Sequence, residues 1–139
     1  MKRIVVVAAV ALTLLGSAAY AGANDAVQKA QDAAKAWLGL IDSGQYGRSW
    51  DEAALIFKTS ISKSDWENMC RSVRGPLGSV KSRTVKSATF TRTLPGAPDG
   101  EYVVIQYDTQ FENKASAVET ITPTHEKDGA WRVSGYYIR

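Results

Sequence analysis

The stretch "EYVVIQYDTQFE", residues 101–112, alternates apolar and polar side chains. Val103, Ile105, Tyr107 and Phe111 fall on one face, and Gln106, Asp108, Gln110 and Glu112 on the other. A period of two over this length describes a half-buried β-strand. The same pattern continues on either side. Residues 82–94 are rich in Thr and Val, "ASAVETITPTHE" (115–126) follows as a third strand, and "AWRVSGYYIR" (130–139) as a fourth. Pro123 marks an edge or a bulge within the third strand, because proline cannot donate to a ladder. Lys127-Asp128-Gly129 joins the third and fourth strands, with Asp-Gly as a tight-turn signal.

Upstream of this run the period changes to that of a helix. Val27, Ala30, Ala34, Trp37, Leu38 and Ile41 recur at helical spacing, which predicts a helix over 25–42 with Asn24 or Asp25 as its cap. Ser43-Gly44 supplies the stop. A second helix is expected over 46–57, with Tyr46, Trp50, Ala53, Ala54 and Phe57 on one side. Ser62-Lys63-Ser64-Asp65 has the form of a helix-start box. Trp66, Met69, Cys70 and Val73 then form a stripe that Gly75-Pro76 should end. Helices first and hairpin-linked strands second predict an α+β fold. The N-terminal helices pack on one face of a curved four-stranded antiparallel sheet. The expected boundaries are helices over about 25–75 and sheet over about 81–139, in one domain spanning 22–139.

The first residues read differently. Lys2 and Arg3 precede an uncharged stretch from Ile4 to Leu15, and Ala19-Tyr20-Ala21 offers small residues at the two positions that matter for cleavage. This is the tripartite pattern of a secretory signal over 1–21, too short in its apolar core for a spanning helix. Export without an internal disulfide, Cys70 being the lone cysteine, points to a periplasm, with no membrane attachment after cleavage. Removing Lys2 and Arg3 takes the formal net charge from +3 to +1, which leaves no long-range field for nucleic acid. Between Arg71 and Arg92 the chain carries only basic charges, whereas 99–128 is dominated by acids. If the first two strands pair, Lys86 and Arg92 should face acidic neighbours such as Asp108. The alternative for the basic run is an anion-binding patch.

Three stretches together, "WLGLIDSGQYGRSW" (37–50), residues 82–122 and "DGAWRVSGYYIR" (128–139), resemble the bacterial family catalogued as domain of unknown function 4019. The resemblance covers nearly the whole chain after the signal and implies small exported proteins without an established activity. The order of elements is also similar to the cystatin-like and nuclear transport factor two-like, cone-shaped α+β domains. Such folds host enzymes, ligand binders and dimerising modules alike.

Few side chains offer chemistry. One histidine and one cysteine leave no zinc pattern, so neither metal nor cofactor is expected. Cys70 reads as a buried small hydrophobe, with Arg71 and Arg74 on other helix faces. Ser49 and Ser134 have no motif around them. For acid–base chemistry the candidates are Glu119, which shares a strand face with Ala117 and Ile121, and His125 and Tyr107 as hydrogen-bond donors. Asp42 sits at the end of the first helix. The aromatics Trp37, Tyr46, Trp50, Tyr107 and Trp131, with Asp42 and Glu119, are candidates to line a pocket, or else they fill the core. Tyr136 and Tyr137 point to opposite faces of the sheet.

Three functions follow as expectations. The first is a non-enzymatic exported module binding a small apolar or aromatic ligand, or pairing as a homodimer through the sheet face. The second is a cavity-based isomerase or dehydratase with Glu119 as base. The third is a structural envelope protein.

Overall fold

The computed structural model describes the backbone from residue 2 and the side chains of residues 22–139; the expected signal over 1–21 therefore lies outside the residues described in full. The elements run α1 (Lys2–Asp42), α2 (Tyr46–Asp51), α3 (Leu55–Ser60), α4 (Lys63–Leu77), β1 (Val80–Thr91), β2 (Tyr102–Phe111), β3 (Lys114–His125) and β4 (Trp131–Ile138). The four strands form one antiparallel meander in the order β1-β2-β3-β4. The expected α+β architecture is present, with the helices packed against a curved sheet. Among the described residues no helix is long and apolar enough to cross a membrane.

Helix α1 begins earlier than its apolar periodicity suggests. Asn24 and Asp25 do not cap it, because the helix runs through them from Lys2 and they are interior positions, and Asp25 instead pairs with Lys29 at 3.1 Å. The C-terminus follows the expectation. Gly44 takes a φ of 77°, Gly44 N–H donates to Ile41 O at 3.1 Å, and Gln45 N–H donates to Leu40 O at 2.8 Å. That pair of bonds closes the last turn as a Schellman motif.

The single second helix expected over 46–57 is two short ones. Ala54 is extended (φ −64°, ψ 155°), and its N–H donates to Val133 O of β4 at 2.8 Å. A bond to the sheet edge replaces the bond a continuous helix would have made. Ser62 caps α4 as its box predicts, its hydroxyl accepting from Asp65 N–H at 3.2 Å. Ser62→Ala is expected to lower stability by about 1 kcal/mol, read from the midpoint of urea unfolding at constant m.

Gly75-Pro76 does not end α4, which continues to Leu77 and stops at Gly78. The β2–β3 turn secures this extra turn. Asn113 donates from its side chain to Pro76 O at 2.9 Å and from its backbone to Leu77 O at 3.0 Å. Gly78 has a φ of 75°, and a Cβ there would lie 2.9 Å from the Glu112 Cβ, so the position requires glycine. The stripe on α4 also differs. Trp66, Cys70 and Arg74 are its buried members, whereas Met69 and Val73 are exposed.

In the sheet, Val103, Ile105, Tyr107 and Phe111 share the inner face with Thr109, and all are buried. β1 carries Arg83, Val85, Ala88 and Phe90 onto the same face, opposite Thr109, Tyr107, Ile105 and Val103. The cross-strand pairing expected for Lys86, Arg92 and Asp108 is not formed. Asp108 lies opposite Thr84 and Val118, Lys86 falls at an irregularity between Val85 and Ser87, and Arg92 lies beyond β1 with its guanidinium over Phe90. Pro123 sits at a register shift against β4 in a central strand, which makes it a bulge rather than an edge. Its missing donor is tolerated there because the ladder is interrupted.

The core lies between this inner face and α1, with Leu38, Ile41, Ile105, Ile121 and Val133 fully buried. At one end it is aromatic. Trp37 meets Phe57, Trp66 and Tyr136 with centroids 6.1, 5.9 and 5.4 Å away.

Candidate functional site

Four elements bring polar groups inward. Parity along β1 turns Arg83 to the inner face, diagonal to Tyr107, and register places Glu119 of β3 directly opposite Tyr107. The end of α1 delivers Asp42 above them, and α4 delivers Arg74. Asp42 and Glu119 are thus brought together by one arginine. Arg83 Nε donates to Glu119 Oε1 at 2.7 Å and Nη2 to Oε2 at 3.1 Å. The same guanidinium donates to Asp42, from Nη1 to Oδ2 at 2.7 Å and from Nη2 to Oδ1 at 3.0 Å. Arg74 Nη1 adds a 3.0 Å bond to Asp42 Oδ1.

Glu119 is 0% exposed. Besides Arg83 it accepts from Thr109 Oγ1 at 2.6 Å and from the hydroxyl of Tyr136. Four donors meet two carboxylate oxygens, so each of its roughly four lone-pair positions has a partner. Burial works against the Arg83 charge, but hydrogen bonds to Asp42 and Glu119 outweigh it and raise its pKa above the ordinary arginine value. Burial, and then the Glu119 charge, push the Tyr136 hydroxyl well above the usual tyrosine range. Burial also raises Tyr107, with Arg83 opposing. The cluster holds three ion pairs, Arg74–Asp42, Arg83–Asp42 and Arg83–Glu119, with the hydroxyls of Thr109 and Tyr136 bonded to Glu119.

His125 does not join it. His125 lies six positions beyond Glu119 on β3, about 20 Å of strand. His125 stacks on Trp131 with centroids 5.0 Å apart and an interplanar angle of 11°, and its Nε2 lies 3.1 Å from Gly129 O. The aromatic candidates do not converge on one cavity either. Trp37 is in the core, its indole N–H donating to Ser49 O at 2.8 Å. Trp50 donates to Ile61 O at 2.9 Å, and Tyr46 packs partly buried against the core. Trp131 and an edge of Trp37 border a groove of about 570 Å³. Tyr107 and Arg83 border another of about 480 Å³ between α1 and β1.

A third groove, about 190 Å³, lies between α4 and β4. It is walled by Trp66, Met69, Val73, Tyr136, Tyr137 and Ile138, and Cys70 and Arg74 reach it from α4. Arg74 is on the same stripe as Cys70, four residues on, not on another helix face as expected. Burial pushes the Cys70 thiol up to about 12, against the opposing charge of Arg74. At pH 8 Cys70 is accordingly expected to stay protonated and to react with iodoacetamide far more slowly in the folded chain than in urea; equal rates would show the thiol exposed.

Ser49, without a sequence motif, has a structural task. Its hydroxyl accepts from Trp66 Nε1 at 2.9 Å and donates to Tyr46 O at 2.6 Å. Arg74 and Arg83 were the functional side chains that sequence reasoning missed. The available signals were Arg74 at i+8 from Trp66 and Arg83 two positions from Val85. Among the described residues no three His, Cys, Asp or Glu side chains converge as a metal site.

Two comparisons bear on this chain. The family model described as "Protein of unknown function (DUF4019)" matches residues 33–136. No curated protein matches.

Proposed function

The chain belongs to the DUF4019 family, and from the state of its inner carboxylates we propose that it is a non-enzymatic exported binding module. The observation that carries this reading is the saturation of Glu119. A general base must offer a lone pair to a substrate proton within hydrogen-bond reach. Both Glu119 oxygens are engaged by Arg83, Thr109 and Tyr136, with no exposed surface on the side chain. His125, a further acid–base candidate, is stacked on Trp131 at the far end of the strand. Two of the grooves described above, of about 570 and 480 Å³, are of a size to hold small molecules. Export to the periplasm, with residues 1–21 as the cleaved signal, completes the reading.

Native mass spectrometry of the chain purified gently from the envelope fraction of its host tests it. The expected spectrum is a single chain beginning at Gly22 and carrying a small additional mass. A ligand-free dimer would move the role to the sheet face, and a full-length, ligand-free monomer would count against both export and binding.

A further inference from the structure

We propose that the groove between α4 and β4 binds a small monocarboxylate with an apolar tail, held by the guanidinium of Arg74. The proposal rests on the binding-module reading and gives it a ligand class.

Arg74 is 6% exposed, yet only part of its guanidinium is used. Nη1 donates to Asp42 Oδ1, while Nε is buried with no hydrogen-bond partner among the described residues, and Nη2 donates to none of them. A buried N–H without an acceptor is costly, and such groups are rare in native proteins. Nε and Nη2 project along one edge of the guanidinium plane, the edge that meets a carboxylate through two parallel bonds. Arg83, in the same cluster, shows what that edge takes. Its Nε and Nη2 are filled by the two oxygens of Glu119, at 2.7 and 3.1 Å. No carboxylate of the described chain fills the corresponding edge of Arg74, because Asp42 gives its other oxygen to Arg83.

The walls specify the rest of the ligand. Five large hydrophobic residues among those described are exposed, and three of them, Met69, Val73 and Tyr137, line this one groove at 51%, 45% and 52% exposure. Their clustering beside a half-used buried arginine marks an amphipathic site: an apolar body lies against α4 and β4, and its carboxylate reaches inward. A volume of about 190 Å³ admits a single ring or a short alkyl chain. Arg74 and Arg83 already pair with Asp42 and Glu119, so the ligand's carboxylate is held by the two unfilled N–H donors of Arg74 rather than by an unpaired cation. An alcohol of the same shape offers one neutral oxygen, which can meet both donors only by sharing it, without the two parallel charge-assisted bonds of a carboxylate.

The test uses ¹⁵N-labelled protein and the arginine Nε–H region of its NMR spectrum, with phenylacetate as probe and 2-phenylethanol as the uncharged control. Phenylacetate is expected to shift the Arg74 Nε–H signal and the Met69 methyl signal together and saturably. 2-Phenylethanol should bind at least about tenfold more weakly, since charge-assisted bidentate bonds are lost. Val73→Tyr fills the groove without touching the ion pairs and should abolish both shifts in a folded protein. An unmoved Arg74 Nε–H signal at millimolar phenylacetate, or unchanged binding in Val73→Tyr, overturns the assignment. If that happens while the native mass spectrum still carries a small molecule, the binding-module reading survives and this site falls. If neither ligand appears, both fall.

Discussion

Arg83→Ala is expected to lower the unfolding free energy by about 3–5 kcal/mol, the cost of leaving buried charge without its partner. The side chain makes four hydrogen bonds to two carboxylates. Removing it strands Glu119, which is fully buried and keeps only the hydroxyls of Thr109 and Tyr136. Asp42 fares better, because Arg74 still reaches it. Removing both halves of the inner pair is therefore predicted to be milder than removing one. Arg83→Met combined with Glu119→Leu should recover much of the loss, since well-packed apolar replacements of a buried pair are often neutral or stabilising. Urea unfolding of the three proteins decides it. A single-variant loss below about 1 kcal/mol would mean that water reaches Glu119 and that the cluster is not a sealed one.

Trp37→Ala is the second large effect, about 3–5 kcal/mol, as for other buried tryptophans truncated in a core. Trp37 is the hub of the aromatic end. Its ring meets Phe57 and Tyr136 edge-on at 75° and 72° and lies tilted against Trp66. Truncation opens a cavity that three rigid rings cannot close by a rotamer change. It also leaves Ser49 O without its donor. Trp37→Phe keeps much of the volume and should cost less, so the difference between the two variants isolates the cavity contribution. A loss under about 1 kcal/mol for Trp37→Ala in guanidinium unfolding would place the ring at the surface instead.

The same residues show why sequence carried the fold further than the site. Strand and helix identities follow from periods of two and 3.6, which are local properties of the chain, and the Ser43-Gly44 stop, the Ser62 cap and the Asp128-Gly129 turn are equally local. Glu119 was legible as an inward-facing acid because it alternates with Ala117 and Ile121. Its partners were not legible. Arg83 reaches it across 36 positions in the chain, and Tyr136 across 17. Where local signals misled, a long-range bond had overridden them. Ala54 gives up a helical bond for Val133 O, and Asn113 accommodates Pro76 within the last turn of α4. Arg74 was expected on another helix face than Cys70 and is instead buried on the same stripe, because the Asp42 carboxylate, 32 positions away in the chain, meets it there.

By itself, then, the sequence of this protein determined its element types, their order, the α+β class and the inward faces of β2 and β3, because backbone propensity and side-chain parity act between near neighbours. Only the tertiary structure decided that Asp42, Arg74, Arg83 and Glu119 form one cluster, that His125 stands apart from it, and that one edge of Arg74 is left unfilled. Ion pairing inside a core depends on which distant groups share a desolvated space, and register and helix packing set that.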